Sequence, residues 1–233
     1  MSPDWHLITF DVYTALFDVE GSLVPLVKET LGAGPEALAL VRLWRSKQLE
    51  YALISNSLQL GRVSFITATR RALDYALGRA GLAASAAAEV TTDTRDEWVQ
   101  AWNHLRPWPE AEQVLAAVRE RGYRIGALSN GDEAMLRAVL SGLATPFDDI
   151  FASDQAGYYK PHPAMYALPT RARGIAPDQL LHVAGSATDV LGARSAGLTC
   201  AWSNRQRDRV LDPACQANYE FADLTGLLGL LER

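Results

Sequence analysis

The stretch "HLITFDVYTALFDVE", residues 6–20, decides how the rest of the chain is read. Leu7, Ile8 and Phe10 form a short apolar run suited to a buried strand, and the run delivers a carboxylate, Asp11, to its C-terminal end. Two positions later stands an aromatic, Tyr13, and not a second acid. In an open parallel sheet, ligands bind at the C-terminal ends of the strands, so an acid in that place is a candidate reactive group.

Working outward, the chain from about residue 109 alternates helix and strand. "PEAEQVLAAVRERG" begins with proline, carries its acids early and its bases late, and ends on Gly122, which are helix signals. "YRIGALSNG" reads as a strand, "DEAMLRAVLSG" as a helix, "FDDIFAS" as a strand and "HPAMYALPTRARG" as mostly helix. "QLLHVAG", "SATDVLGARSAG" and "LTCAWSN" continue as strand, helix and strand. This beat predicts a parallel sheet covered by helices, an α/β fold to which the N-terminal strand also belongs.

Residues 19–105 differ. "GPEALALVRLWRSKQLEYALISNSL" and "FITATRRALDYALGRAG" repeat apolar residues at three- and four-residue spacing, with no strand between them, and "EVTTDTRDEWVQAWNHL" reads as a further helix. The Ala-rich "LAASAAAEV" is a connector or a helix end. The reading is therefore an inserted all-helical cap over 19–105, with residues 1–18 and 106–233 forming the catalytic core.

The 233 residues suffice for one large domain or a core with a sizeable insertion, and 48% hydrophobic with 21% charged residues is ordinary for a globular protein. A net charge of −5 argues against nucleic acid as a main partner. An anionic substrate must therefore meet a local positive cluster. Cys200 and Cys215 form no disulfide framework or metal-site spacing and read as idle thiols. "MSPDWH" lacks the pattern of a secretory leader, and no apolar run approaches a membrane span, so the expectation is a cytoplasmic protein without a membrane partner.

Four strand ends finish near polar residues: Asp11 after the first, Ser129 and Asn130 after the second, Lys160 and Tyr166 in the loop and helix after "FDDIFAS", and Ser186 and Asp189 after "QLLHVAG". Singly, each has a bland reading as a cap, a turn or a surface charge. Together on one sheet edge they are most economically a pocket. His6, His104, His162 and His182 are scattered without metal-ligand spacing, and Trp98 and Trp102 read as cap packing. Leu49 and Phe65 fit either a small apolar pocket beside Tyr13 or the core.

Asp11, "LSNG" with Ser129, "YKPHP" with Lys160 and the segment reaching Asp189 resemble the four motifs of the haloacid dehalogenase superfamily across essentially the whole chain. The resemblance implies a Rossmann-like core with an inserted cap and a nucleophilic aspartate. Phosphatases of that superfamily carry a general acid two residues after the nucleophile, because an alkoxide leaving group needs a proton. Tyr13 is a poor substitute, with an ordinary phenol pKa near ~10, whereas a halide leaves without a proton. "FDVYTALFD" is similar to the first motif of the L-2-haloacid dehalogenases, and "LWRSKQLEY", residues 43–51, to their first cap helix. Tyr166 lies six residues after Lys160 and Asp189 lies 29 after it, as in that family.

By that resemblance Asp11 attacks the halogen-bearing carbon and forms an ester. Arg45, helped by Asn130, receives the halide, while Ser129 and Lys160 hold the substrate carboxylate. Asp189 orients Lys160 and the hydrolytic water, Tyr166 bonds the lysine or the nucleophile, and Tyr13, Leu49 and Ser186 line the substrate. No cofactor is implied, the ligand is a small anion, and the assembly is a homodimer. The chain departs from the family in Thr14-Ala15 for Gly-Thr, in Ala184-Gly185-Ser186 for Ser-Ser-Asn, and in Thr188 for an aromatic. Thr14 offers a hydroxyl one place early, where it is expected to point elsewhere. Two alternatives stay open: a Mg²⁺-dependent phosphatase using Asp11 and Asp189, and a catalytically weakened member of the superfamily.

Overall fold

The computed structural model describes residues 5–32, 36–58, 61–82 and 88–232. The expected connector falls largely on 83–87, outside the described residues, as does most of "MSPDWH". Six parallel strands form one sheet in the order β5-β4-β1-β6-β7-β8: β1 Leu7–Phe10, β4 Arg124–Ser129, β5 Asp149–Ala152, β6 Leu180–Ala184, β7 Thr199–Ser203 and β8 Tyr219–Phe221. β1 lies inside the sheet, and all four of its residues are fully buried. That accounts for its lack of alternation, since both faces of the strand are covered by helices.

Register places the reactive edge. Phe10 pairs with Ala127 on one side and Val183 on the other, so Asp11, Ser129 and Ala184 come off three adjacent strands at nearly one level. The Asp11 N–H donates to Val183 O at 2.9 Å, one last ladder bond before the chain turns. It then makes a five-residue π-helical turn, Val12–Leu16, capped by the Asp11 carboxylate. The turn presses against the loop after β6. A Cβ built on Gly185 would lie 2.4 Å from Ala15 N and 2.6 Å from the Thr14 carbonyl carbon, so only glycine fits where the two strand-end loops meet.

Two short segments, β2 Phe17–Asp18 and β3 Arg106–Pro107, pair antiparallel at the base of the helical insertion. Between them lie α1 Val19–Leu31, α2 Glu36–Leu58, α3 Phe65–Arg79 and α4 Thr92–Gln100. The Trp44 indole N–H donates to Thr69 O at 2.8 Å and joins α2 to α3. The core then continues with α5 Ala111–Glu120, α6 Glu133–Leu140, α7 Ser153–Ala156, α8 Pro163–Arg173, α9 Ala187–Ser195 and α10 Gly226–Leu231.

The helical layer is seated on the sheet edge by polar clasps. Asp132, just before α6, pairs with Arg62 and accepts the Phe65 N–H at 2.7 Å at the start of α3. The Asn56 side chain exchanges two hydrogen bonds with the Tyr159 backbone at 2.9 and 3.0 Å, and the Tyr159 hydroxyl donates to Val63 O. Phe65 is core, stacked 5.6 Å from Tyr13, and Trp98 and Trp102 are buried as packing residues. Among the described residues no helix is long and apolar enough to cross a membrane. Replacing Gly185 by alanine forces one backbone segment off the other, and we predict a loss of about 1–3 kcal/mol, read from the urea unfolding midpoint.

Candidate active site

The centre is Lys160. It is buried, and its ammonium lies 3.2 Å from Asp11 Oδ1 and 2.9 Å from Asp189 Oδ2. Its backbone N–H is held by Asn130 Oδ1 at 2.6 Å, which anchors the loop after α7 to the strand end of β4. Burial works to lower the Lys160 pKa, but Asp189 and Asp11 outweigh it, and the net direction is upward. Asp189 is the complement. Burial pushes its carboxyl up, yet Lys160 and His182 prevail and hold it well below the usual carboxylate range. The pair is thus ionised over the whole neutral range.

Asp11 is held on both oxygens. Oδ1 also receives the Ser129 hydroxyl at 3.3 Å, and Oδ2 receives the Thr14 N–H at 3.0 Å from the turn that Asp11 itself caps. Ser186 caps α9 by accepting the Asp189 N–H at 3.3 Å. Tyr166 corrects an expectation. Its hydroxyl goes to Asp189 Oδ1 at 2.8 Å, and the hydrogen bond serves neither the lysine nor the nucleophile, because α8 sets the ring against α9.

From the helical layer comes Arg45. Its Nη1 donates to Gln48 Oε1 at 2.5 Å and its Nη2 to Thr14 Oγ1 at 3.3 Å. The guanidinium stands 5.3 Å from the Trp102 ring centre and 5.8 Å from that of Tyr13, within cation–π range. Gln48 is fully buried and passes the chain on through Thr69 Oγ1 at 2.6 Å to Phe65 O at 2.8 Å. The Thr14 hydroxyl therefore has a definite partner in the site. Burial raises the Tyr13 phenol well above its ordinary pKa, so it is a weaker acid than a free phenol.

These groups line a cavity of about 60 Å³ with Asp11, Ser129, Lys160, Ser186 and Asp189 on its core side and Arg45 and Leu49 on the other; Asn130, Tyr13, Thr14, Thr188 and Leu53 complete the wall. A cavity of this volume admits only a small ligand.

Sequence reasoning passed over His182, Gln48 and Thr9. His182 is fully buried, with Nε2 3.0 Å from Asp189 Oδ2 and Nδ1 2.9 Å from Thr9 Oγ1. The available signal was a histidine inside the apolar strand "LLHVA". For Gln48 it was a position three residues after Arg45, on the same face of one helix.

A divalent cation does not fit this donor set. Lys160 bridges the two carboxylates and already supplies positive charge between them, Tyr166 and His182 also donate to Asp189, and among the described residues no group of three or more His, Cys, Asp or Glu is arranged to hold a metal.

The buried pair sets a pH dependence. The Asp189 pKa is depressed in the fold and returns to ~3.9 on unfolding, so its contribution is present above that value and lost as pH falls through the folded-state value. Asp189→Asn is expected to cost about 3–5 kcal/mol near neutral pH. The gap to wild type narrows as pH drops below ~4, measured by urea unfolding across pH.

Comparison with known proteins agrees with this geometry. The sequence matches the haloacid dehalogenase-like hydrolase family over residues 8–197. It is 34% identical over 200 residues to haloacetate dehalogenase H-2 of Moraxella sp. (strain B), covering 85% of each chain. To the (S)-2-haloacid dehalogenase of Pseudomonas sp. (strain YL) it is 33% identical over 227 residues, 97% of this chain and 94% of that one. A solved L-2-haloacid dehalogenase superposes over the whole of both chains with a TM-score of 0.88 at 29% identity. The Xanthobacter autotrophicus enzyme, solved with chloropropionic acid covalently bound, does so over 98% of each chain with a TM-score of 0.83 at 26% identity. Sheet order, strand-end residues and these matches agree, and the chain belongs to the haloacid dehalogenase-like hydrolase family, of the L-2-haloacid dehalogenase type.

Proposed function

We propose that this protein hydrolyses a small L-2-haloacid to the 2-hydroxy acid through an ester on Asp11. The observation that carries the reading is the small cavity with the Asp11 carboxylate on one side, the Arg45 guanidinium on the other and an aromatic in place of a second carboxylate at position 13. A carboxylate facing a fixed guanidinium suits displacement of an anion from carbon. The carboxylate oxygen bonds to the carbon as the halide leaves toward Arg45. With Asn130 Oδ1 held by the Lys160 N–H, what Asn130 offers that anion is its Nδ2 donor.

Ser129 and Lys160 flank Asp11 and present the donors that a substrate carboxylate needs. Tyr13, Leu49 and Thr188 supply wall contacts around the carbon skeleton, and Ser186 completes the rim. In the second step water attacks Asp11 Cγ. The Cγ–O(alkyl) bond breaks, one water proton goes to the departing oxygen, the other goes to solvent, and Asp11 is restored as a carboxylate. The clasps through Asp132, Asn56 and Tyr159 keep the cap seated, which keeps bulk water from the ester. The phosphatase reading asks for an acid at position 13 and a metal between carboxylates that Lys160 already bridges. The ligand under this reading is a small monoanion, in a cytoplasmic enzyme that needs no metal.

Halide release from L-2-chloropropionate and chloroacetate tests it. Release is expected to persist in EDTA and to vanish in Asp11→Asn; release that needs Mg²⁺, or phosphate-ester cleavage in its place, would sink the reading. Gln48→Leu removes the acceptor that orients Arg45. We predict a fall in kcat/KM of about tenfold, in a protein that still folds, measured by steady-state halide assay.

A further inference from the structure

His182 is a buried titratable group that the mechanism above leaves without a task. It sits on β6 beside Thr9 of β1 and Cys200 of β7, with no exposed surface. The Tyr166 ring meets it edge-on, with ring centres 6.0 Å apart. Both ring nitrogens have partners: Thr9 Oγ1 at Nδ1 and Asp189 Oδ2 at Nε2. A carboxylate only accepts, so Nε2 carries a proton and donates it in the hydrogen bond to Asp189. With Nε2 protonated, the 3.4 Å approach of Lys160 Nζ to it is a contact between two donors that share one carboxylate oxygen.

Asp189 therefore has three donors of two kinds. Tyr166 on α8 and His182 on β6 are rings built into packed elements, whereas Lys160 is an ammonium on a flexible stem that also faces Asp11 and the cavity. The distinction matters once Asp11 is esterified. The ester is neutral, and Lys160 loses one of its two counter-charges and stands free to follow the substrate carboxylate. Asp189 Oδ1, with the Tyr166 hydroxyl as its one protein donor among the described residues, retains capacity to accept a hydrogen bond from a water.

We propose that His182 is a positioning residue for ester hydrolysis: with Tyr166 it holds the Asp189 carboxylate in place while Lys160 follows the substrate, so that Asp189 directs water at Asp11 Cγ. The inference rests on the dehalogenase reading. In the step it serves, the water oxygen bonds to Cγ and the Cγ–O(alkyl) bond breaks. One water proton ends on the hydroxy acid, and the other leaves to solvent.

The test is rapid-quench turnover of L-2-chloropropionate by wild type, His182→Phe and His182→Gln, following halide per enzyme and the mass of the Asp11 peptide. Phenylalanine keeps the ring and loses both nitrogens, and glutamine retains a donor near the Nε2 position. For His182→Phe we expect kcat about tenfold lower with first-turnover halide release within roughly twofold of wild type. An Asp11 peptide carrying the substrate less its chlorine should build up beyond the wild-type level, and His182→Gln should recover part of the rate. Wild-type kinetics in His182→Phe, or equal loss of both steps without ester build-up, overturns the inference and leaves the dehalogenase reading standing. No halide from the wild type overturns that reading and this inference with it. Should His182→Phe not fold, ¹⁵N NMR of wild-type His182 decides: a proton on Nε2 is expected at neutral pH, and an Nε2 without a proton overturns the proposal.

Discussion

One ammonium, that of Lys160, buried between the carboxylates of Asp11 and Asp189, is the constraint on which the rest of the site depends. Each member alone would be expensive to bury, and removal of the ammonium would leave two carboxylates facing one another in a low-dielectric interior. The three come from separate elements: the end of β1, the loop after α7, and α9 behind β6. Their mutual attraction therefore also ties the loops of the sheet edge together. Stability and chemistry draw on the same contacts here.

A second constraint is steric. The turn after Asp11 and the loop after β6 approach so closely that position 185 has no room for a side chain. That closeness aims the Thr14 N–H at Asp11 Oδ2 and brings the Thr14 hydroxyl to Arg45. A hydroxyl one position earlier than the family pattern thus lies in the site, in contact with the residue from the cap. Arg45 in turn is held by a buried polar chain through Gln48 and Thr69 to the backbone of α3, so the guanidinium is oriented by the packing of the cap's own helices. Seating the cap and completing the site are one event.

The candidate site was unevenly legible in the sequence. Asp11, Ser129, Lys160 and Asp189 stand out because a parallel sheet puts its strand ends on one edge, and strand ends can be found by local apolar runs. Arg45 was legible only through the likeness of residues 43–51 to a known cap helix, since an arginine on an amphipathic helix is otherwise an ordinary solvated charge. His182 could not be assigned in this way. Its partners, Thr9 and Asp189, lie 173 and 7 residues away, and only β1–β6 pairing and the start of α9 bring them together. Tyr166 was placed in the site but given the wrong partner, because the rotation of α8 against α9 is a matter of helix packing that spacing does not record.

The sequence by itself determined the alternation of strand and helix, the helical insertion after the first strand, the acid at the end of that strand and the aromatic where a second acid would stand. These follow from local periodicity and from chemistry carried by single side chains. The tertiary structure alone decided which donor meets which oxygen: Ser129 and Thr14 on Asp11, Tyr166 and His182 on Asp189, Gln48 on Arg45. Hydrogen bonds between side chains form or fail over a few tenths of an ångström. Distances of that order are set by strand register, helix rotation and the seating of the cap, all of which are sums of contacts between residues far apart in the chain.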